Sequence, residues 1–355
     1  MHILHLYKDY YPVLGGIENH IKVLAEAQAS AGHTVTVLAC DPGRLTRTST
    51  LNGVRVVKAG RLMTAASMPI SLRQPLALLS MRPDVIHVQS PYPLGEIIAA
   101  FLKSRVPLVV SYQSDVVRQQ GWLRFYGPLL RSVLRRADRI LVSSPRYLDS
   151  SPWLQPVREK CAVVPLGVDT RRFRPPEAPY EDRPTLLFVG RLRYYKGLDT
   201  LLRALKALPE SVALRIVGTG EQQAPLQALA QDLGVSDRVV FAGNIADDDL
   251  PAEYHRASLF VLPANARAEA FGTVLLEAMA SGLPCVTTEV GTGTSWVVQD
   301  GVTGRVVPAR DPAALAQAIA GILADPTLLR QMGQASRARV EAEFTQSLMV
   351  DRVMA

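Results

Sequence analysis

Two successive doubly wound α/β domains, each Rossmann-like, are what this sequence predicts, on three observations. Short β-branched runs alternate with amphipathic stretches along nearly the whole chain, the pattern of a parallel sheet with helical crossovers. Runs such as Leu108-Val109-Val110 and Ile140-Leu141-Val142 are continuously apolar, as strands covered on both faces are. The alternation is broken once, by RRFRPPEAPYEDRP over residues 171–184, which lacks apolar periodicity and reads as an interdomain linker. The predicted division is an N-terminal domain over 1–170, the linker, a C-terminal domain over 185–343, and a terminal segment over 344–355 packing back on the first domain. A chain of 355 residues has room for two such cores.

Taken in order, the first domain opens with a strand over 2–7, and a helix over 17–30 follows a glycine pair. Strands over 34–39, 54–58 and 85–89 come next, then a helix over 94–103 and strands over 108–112, 140–143 and 162–166. The pattern restarts after the linker with strands over 185–189, 213–217, 239–242, 258–262 and 285–287. Between them lie helices over 198–208, 224–233 and 274–280. Ligands of open α/β sheets bind outside the carboxyl ends of the strands, so a ligand is expected in a central cleft faced by both domains. The loops after strands then carry the functional information.

Composition narrows the class. Hydrophobic residues are 48% and charged residues 20%, near globular averages, which excludes a disordered chain. Apolar runs fall short of the roughly 18 residues a membrane span needs, and Met1-His2-Ile3-Leu4-His5 has no signal-like character, so a cytoplasmic location is expected. Cys40, Cys161 and Cys285 are far apart and form no CxxC pair, which fits reduced thiols rather than disulfides or a zinc site. The net charge of +7 is unevenly placed: residues 1–170 carry 20 Lys and Arg against 11 Asp and Glu, and residues 171–355 carry 19 against 21. Such asymmetry suits an anionic partner, or an arginine-rich solvated surface, on the first half.

Several loops look chemical. Gly15-Gly16-Ile17-Glu18 opens a helix after the first strand, where glycines let amides approach an anion, or where a plain turn precedes the helix. Gly218-Thr219-Gly220 lacks the third glycine of a dinucleotide fingerprint, so a nicotinamide cofactor is not supported. Gly190-Arg191-Leu192-Arg193-Tyr194-Tyr195-Lys196-Gly197 places cations after a strand, as a diphosphate requires. In Glu269-Ala270-Phe271-Gly272-Thr273-Val274-Leu275-Leu276-Glu277 a helix begins near Gly272 and Thr273, with amides free to hold phosphate. Eight residues of helix would separate Glu269 from Glu277 by roughly 12 Å. That exceeds the roughly 5 to 9.5 Å between carboxyl pairs of glycoside hydrolases, so one carboxylate on a sugar and one on a ribose is the better reading. The alternative is a capping glutamate and an exposed one. Asp247-Asp248-Asp249 holds a D-x-D, but it precedes a helix, where acidic residues favour the positive end, and no metal is expected.

With these residues in place, the chain resembles the retaining glycosyltransferases of family 4 (group 1), which have the GT-B fold. The resemblance runs over nearly the whole length: the GGxE at Gly15, Val164-Pro165-Leu166-Gly167-Val168-Asp169, the GRLxxxKG loop, and the E-x7-E element followed by Ala278-Met279-Ala280-Ser281-Gly282-Leu283-Pro284. It implies a nucleotide-sugar co-substrate on the second domain, GDP- or UDP-linked, an acceptor on the first, and no other cofactor. By the same resemblance Arg191 and Lys196 neutralise the donor diphosphate, Glu269 holds the transferred sugar and Glu277 the ribose. Phe271, Gly272 and Thr273 supply backbone donors, Gly243, Asn244 and Ile245 run where the base binds, and Gly15, Gly16, Gly190 and Gly218 line the donor. Glu18, Gln113 and Asp115 are expected on the acceptor side. Many members carry a histidine where this chain has Gln113; an amide bonds a hydroxyl but shuttles no proton.

The expectation is a hexosyltransferase that moves mannose from GDP-mannose, or a sugar from UDP, to a glycan or lipid-linked acceptor in surface polysaccharide or glycolipid synthesis. It is closest in feel to bacterial mannosyl- and rhamnosyltransferases. The alternatives are a nucleotide-sugar 2-epimerase of the same fold and a non-catalytic nucleotide-sugar sensor; no nucleic-acid recognition motif is present. Residues 118–139 combine Trp122, Leu123, Phe125, Tyr126, Leu129, Leu130, Val133 and Leu134 with arginines. They read either as a segment touching anionic lipid, making the protein peripheral on the cytoplasmic membrane face, or as a buried helix face.

Overall fold

The computed structural model describes residues 1–13, 15–65, 68–115, 120–177 and 183–355; the side chains of Ala65 and of residues 120–125 are not described. Arg118 therefore lies outside the described residues, as do the side chains of Trp122, Leu123 and Phe125 and part of the linker. The chain forms two compact units, Met1–Pro165 with Val350–Ala355, and Leu166–Met349.

In the first unit, strands β1 (His2–Leu6), β2 (Thr34–Cys40), β3 (Arg47–Leu51) and β4 (Val54–Ala59) come first. A small hairpin, β5 (Met63–Ala65) and β6 (Met68–Ile70), precedes β7 (Val85–Ser90), β8 (Leu108–Tyr112), β9 (Arg139–Val142) and β10 (Cys161–Val163). The main sheet runs β10-β9-β8-β7-β1-β2-β4-β3, and only the β3–β4 pair is antiparallel. Helices α1 (Gly16–Ser30), α2 (Arg73–Ser80), α3 (Pro93–Leu102), α4 (Gln120–Arg136) and α5 (Pro145–Ser150) make the crossovers. β2 shows why the sequence pattern works: Val35, Val37, Leu38 and Ala39 are all buried, one set on each face. In α4, Leu130, Val133 and Leu134 are buried, while Leu129 is exposed and Tyr126 half-buried, so most of the described part of that apolar stripe is core.

The second unit carries β11 (Thr185–Val189), α6 (Leu198–Lys206), β12 (Ala213–Val217), α7 (Gln223–Asp232), β13 (Val239–Gly243) and α8 (Leu250–His255). β14 (Leu259–Leu262), α9 (Thr273–Ala280), β15 (Cys285–Glu289), α10 (Thr294–Val297), β16 (Gly304–Pro308), α11 (Pro312–Leu323) and α12 (Pro326–Glu343) follow, and α13 (Gln346–Met354) starts in this unit and ends in the first. Its sheet is wholly parallel in the order β13-β12-β11-β14-β15-β16. Numbered within the unit this is 3-2-1-4-5-6, the doubly wound order. Leu186, Phe188, Phe260 and Leu262 are fully buried beneath α6 and α9, whose Leu201, Leu205, Leu275 and Leu276 cover the sheet.

The structure departs from the sequence reading at edges and linkers. β3 is polar and exposed, so it has no apolar signature; it is paired by the Asn52-Gly53 turn, whose φ angles of 48° and 81° are those of a two-residue hairpin. Residues 166–177 belong to the second unit. Asp169 accepts from the amides of Arg171 and Arg172, Phe173 is buried edge-on against Tyr254, and Arg337 donates to the carbonyls of Thr170 and Phe173. At the other end, Gln28 donates to the Met354 sulfur, holding the last residues in the first unit. Among the described residues no single helix is long and apolar enough to cross a membrane.

Candidate active site

The order of the second sheet reverses between β11 and β14, so the loops after these two strands part and leave a crevice at their carboxyl ends. The β11 loop carries Gly190 and Arg191 and ends in a tight turn, Tyr194–Lys196, closed by Gly197 in the left-handed conformation (φ 69°). A Cβ on Gly197 would stand 1.9 Å from the carbonyl oxygen of Pro263, so only glycine lets this turn rest on the end of β14. Asn265 fastens it further, its backbone N–H donating to Tyr195 O (2.9 Å) and its Nδ2 to Tyr194 O (3.0 Å).

This docking delivers Lys196 to Glu269. Their Nζ and Oε2 atoms are 2.5 Å apart, and each side chain is only 10% exposed. The ammonium also sits 5.8 Å from the Tyr195 ring centroid. Arg191 is exposed on the same loop. A buried cation and anion that neutralise one another form a poor stability device but a good exchangeable one, because either can be given a new partner when a charged ligand arrives.

Glu269 is held by its backbone: its carbonyl accepts from Thr292 Oγ1 (2.7 Å), and the amide of Gly293 donates to Ala270 O (2.8 Å). The Phe271 side chain is buried against Trp296 and Phe344, which leaves only its backbone for a ligand. Gly272 is the N-cap of α9 and no side chain caps the helix, so the amides of its first turn can receive an anion at the positive end. Since the helix begins only at Thr273, residues 269–272 are not helical and the two glutamates are not a fixed helical rise apart. Glu277, within α9, accepts from Tyr254 Oη (2.6 Å). Removal from water pushes its carboxyl up to about 7, although the Tyr254 hydrogen bond and the Arg172 charge pull it down; Asp247 adds to the rise.

The neighbouring loops are knitted to this one. Gly218 bends at φ 121° where a Cβ would lie 2.2 Å from Gly190 O, and its amide donates to Gly243 O (2.7 Å). Asn244 is exposed and Ile245 half-buried beyond β13. Asp247 is paired with Arg172 at 3.1 Å, which gives the acidic run a structural partner. Among the described residues no group of three or more His, Cys, Asp and Glu could hold a metal ion.

The equivalent end of the first sheet has a different chemistry. Gly15 caps α1, and the Glu18 carboxylate folds back over it, the place a capping-box glutamate takes. Asp115 accepts from Tyr112 Oη (2.9 Å) and Ser151 Oγ (2.8 Å). Gln113 turns inward, donating to Gln89 Oε1 (2.9 Å). Sequence reasoning missed what lies behind it. His5 and His87 are register partners on β1 and β7 with ring centroids 5.1 Å apart. His87 bonds Ser111 Oγ (2.7 Å), and His5 bonds Gln28 Oε1 (2.6 Å). Burial pushes His5 and the nearby His20 down to about 4, and His87 well below its usual value, so all three are neutral. The available signal was polar side chains two residues apart inside apolar strands, His87 with Gln89 and Ser111 with Gln113.

Comparison with known proteins matches both units. The model of "Glycosyltransferase Family 4" covers residues 14–172, and that of "Glycosyl transferases group 1" covers 169–339. The chain is 34% identical to O-antigen chain mannosyltransferase C of Escherichia coli, over 99% of this chain and 96% of that one. It is 36% identical to D-rhamnosyltransferase WbpZ of Pseudomonas aeruginosa, over 97% and 92%. Among solved structures, sucrose-phosphate synthase from Thermosynechococcus elongatus superposes with a TM-score of 0.82 at 25% identity, over 99% of this chain and 97% of that one.

Proposed function

The chain belongs to the family 4, group 1 glycosyltransferases of GT-B fold, and on that premise we propose that it transfers mannose, or the related deoxyhexose rhamnose, with retention of configuration. The donor is a nucleoside diphosphate sugar, GDP-mannose before a UDP-sugar, and the acceptor is a glycan or lipid-linked saccharide of an envelope polysaccharide. The mannosyl and rhamnosyl relatives support the sugar class.

The observation that carries the reading is the Lys196–Glu269 pair beside an uncapped helix end. A donor diphosphate draws Lys196, with Arg191 and the first amides of α9, onto its oxygens. Glu269 is then free to accept a hydrogen bond from a sugar hydroxyl. The sugar C1–O bond breaks toward the diphosphate, the acceptor oxygen bonds C1 on the same face, and the acceptor proton passes to the departing phosphate. Electrostatic stabilisation of that phosphate is the main catalytic effect and needs no metal cofactor. The protein works on the cytoplasmic side, where Cys40, Cys161 and Cys285 stay free thiols.

A thermal-shift screen against GDP-, UDP- and ADP-sugars tests the donor, with GDP-mannose expected to stabilise most. Activity that survives EDTA, and an NMR assignment of the product linkage as retained, complete the reading. An inverted product would overturn the mechanism. Conversion of UDP-GlcNAc without any acceptor would make the chain an epimerase instead.

A further inference from the structure

Tyr254 is fully buried on α8, and the short helix that carries it is pinned from two sides. Its neighbour Glu253 is also buried and accepts from Arg215 Nη2 (3.0 Å) on β12 and from Arg256 Nη1 (3.0 Å). The Tyr254 ring packs against Phe173, edge-on at 5.6 Å between centroids, and against Phe260 of β14 at 5.8 Å. These anchors fix the hydroxyl, which donates to Glu277 Oε2 at 2.6 Å. A buried tyrosine needs a partner for its hydroxyl, but any backbone carbonyl would serve. A carboxylate costs far more to take out of water, so packing alone does not account for this choice.

Among the described residues Tyr254 is the hydrogen-bond donor to the Glu277 carboxylate, and Oε1 keeps its capacity to accept. The charged groups around it favour the same state. Arg172 pulls the carboxyl down, and Asp247, which pushes it up, is itself paired with Arg172 at 3.1 Å. Arg337 of α12 is taken up by the carbonyls of Thr170, Phe173 and Ala280 and by Glu341, and burial keeps the Cys285 thiol of β15 protonated. Burial and the Glu277 charge also raise Tyr254, so its hydroxyl remains a donor. A vicinal diol presents two donors, and a carboxylate with one oxygen already anchored meets them without the rotamer entropy of a free glutamate.

We propose that Tyr254 is a positioning residue for the nucleoside of the donor: by anchoring Glu277 Oε2 it presents that carboxylate, supported by the Arg172 charge, to the 2′ and 3′ hydroxyls of the ribose. The inference rests on the reading that Glu277 meets the ribose, and it deepens that reading. Selection of a ribonucleotide over its deoxy form is then set by a residue that does not itself touch the nucleotide.

The test is isothermal titration of the full chain with GDP and UDP and with their 2′,3′-dideoxy forms, from pH 6 to pH 9. The ratio of ribo to dideoxy affinity cancels the titration of the diphosphate itself. In the parent this ratio should rise with pH through about 7, as Glu277 ionises. Tyr254→Phe keeps the ring packing and should lower the ratio about tenfold at pH 7, the worth of a hydrogen bond to a carboxylate. At pH 9, where the unassisted carboxyl also ionises, the ratio should return to within about threefold of the parent's. Arg172→Gln should displace the rise in the same direction by less. In Glu277→Gln the ratio should be low at every pH, and adding Tyr254→Phe should change it less than about twofold. A Tyr254→Phe ratio equal to the parent's at pH 7, or lowered alike at pH 7 and pH 9, would overturn the positioning role while leaving Glu277 on the ribose. If Tyr254→Phe does not fold, Arg172→Gln carries the test, and no displacement there overturns the inference. A parent that binds neither diphosphate, or that does not distinguish the ribo from the dideoxy forms, would overturn the ribose reading and this inference with it.

Discussion

The two units reverse their strand order in the same way, at β1/β7 and at β11/β14, yet the side chains at the two reversals have little in common. The second unit brings a cation and an anion together, Lys196 on Glu269, with Arg191 and an uncapped helix end nearby. The first unit fills the equivalent place with groups that are neutral: His5, His20, His87, Gln89 and Gln113, each buried and joined largely by hydrogen bonds between uncharged partners. One topology thus offers a place for a ligand, and the residues at the strand ends decide whether charge or hydrogen bonding receives it. A diphosphate needs the first kind, and a saccharide hydroxyl is served by the second.

Acid separates the two most strongly. His5 and His20 are held near 4 in the folded unit against an unfolded value of 6.5, so the unfolded chain binds more protons between these limits. Their stabilisation is complete above about pH 6.5 and is lost as pH falls through that window, about 2 kcal/mol for each at pH 5. In the second unit Glu277 acts in the opposite sense, its raised value of about 7 making that unit more stable as pH falls from 7 toward 4.5. Hydrogen exchange at pH 5 should therefore show the first unit opening before the second. Protection lost together in both, or first in the second, would refute the contrast.

Next in size is Lys196→Ala. It removes the cation from the leaving phosphate and should lower kcat/KM about 10²- to 10³-fold, roughly 3–4 kcal/mol. Activity within tenfold of the parent would remove the reason for treating the second reversal as the chemical one.

These contrasts were unevenly legible in the sequence. The strands and the glycine loops of the second unit could be read because each signal is local: an apolar run, then glycines and cations, then an apolar helix. The contact of Lys196 with Glu269 spans residues far apart in the chain and depends on a carbonyl at Pro263 touching Gly197, which no local pattern announces. The histidine cluster was hidden because single polar residues inside apolar strands look like interruptions until the register aligns His5 with His87.

A smaller effect belongs to Glu277. Glu277→Gln keeps an acceptor for Tyr254 but removes the cost of a partly desolvated carboxylate, so the variant should be more stable at pH 8 by about 1–3 kcal/mol. If the carboxylate also accepts ribose hydroxyls, the donor KM of the parent falls as pH rises through about 7, and that of the variant is flat. A parent KM that does not change across this range would detach Glu277 from the donor.

The smallest expected effect bears most directly on the comparison. Gln113 Nε2 donates to Gln89 Oε1, the Gln89 amide nitrogen lies 3.4 Å from His87 Nε2, and that imidazole nitrogen is 2.7 Å from Ser111 Oγ. Burial holds the His87 imidazole well below its ordinary value, in the neutral state. The chain behind Gln113 is therefore arranged to orient an amide and not to carry a proton. Gln113→Ala should cost one hydrogen bond, about 1 kcal/mol and less than tenfold in kcat, with donor KM unchanged. Gln113→Glu should do worse than alanine, because it sets a buried carboxylate against the Gln89 amide oxygen. A loss of a hundredfold or more in Gln113→Ala, with donor binding intact, would place position 113 in the bond-making step. The first unit would then take part in the chemistry on equal terms with the second.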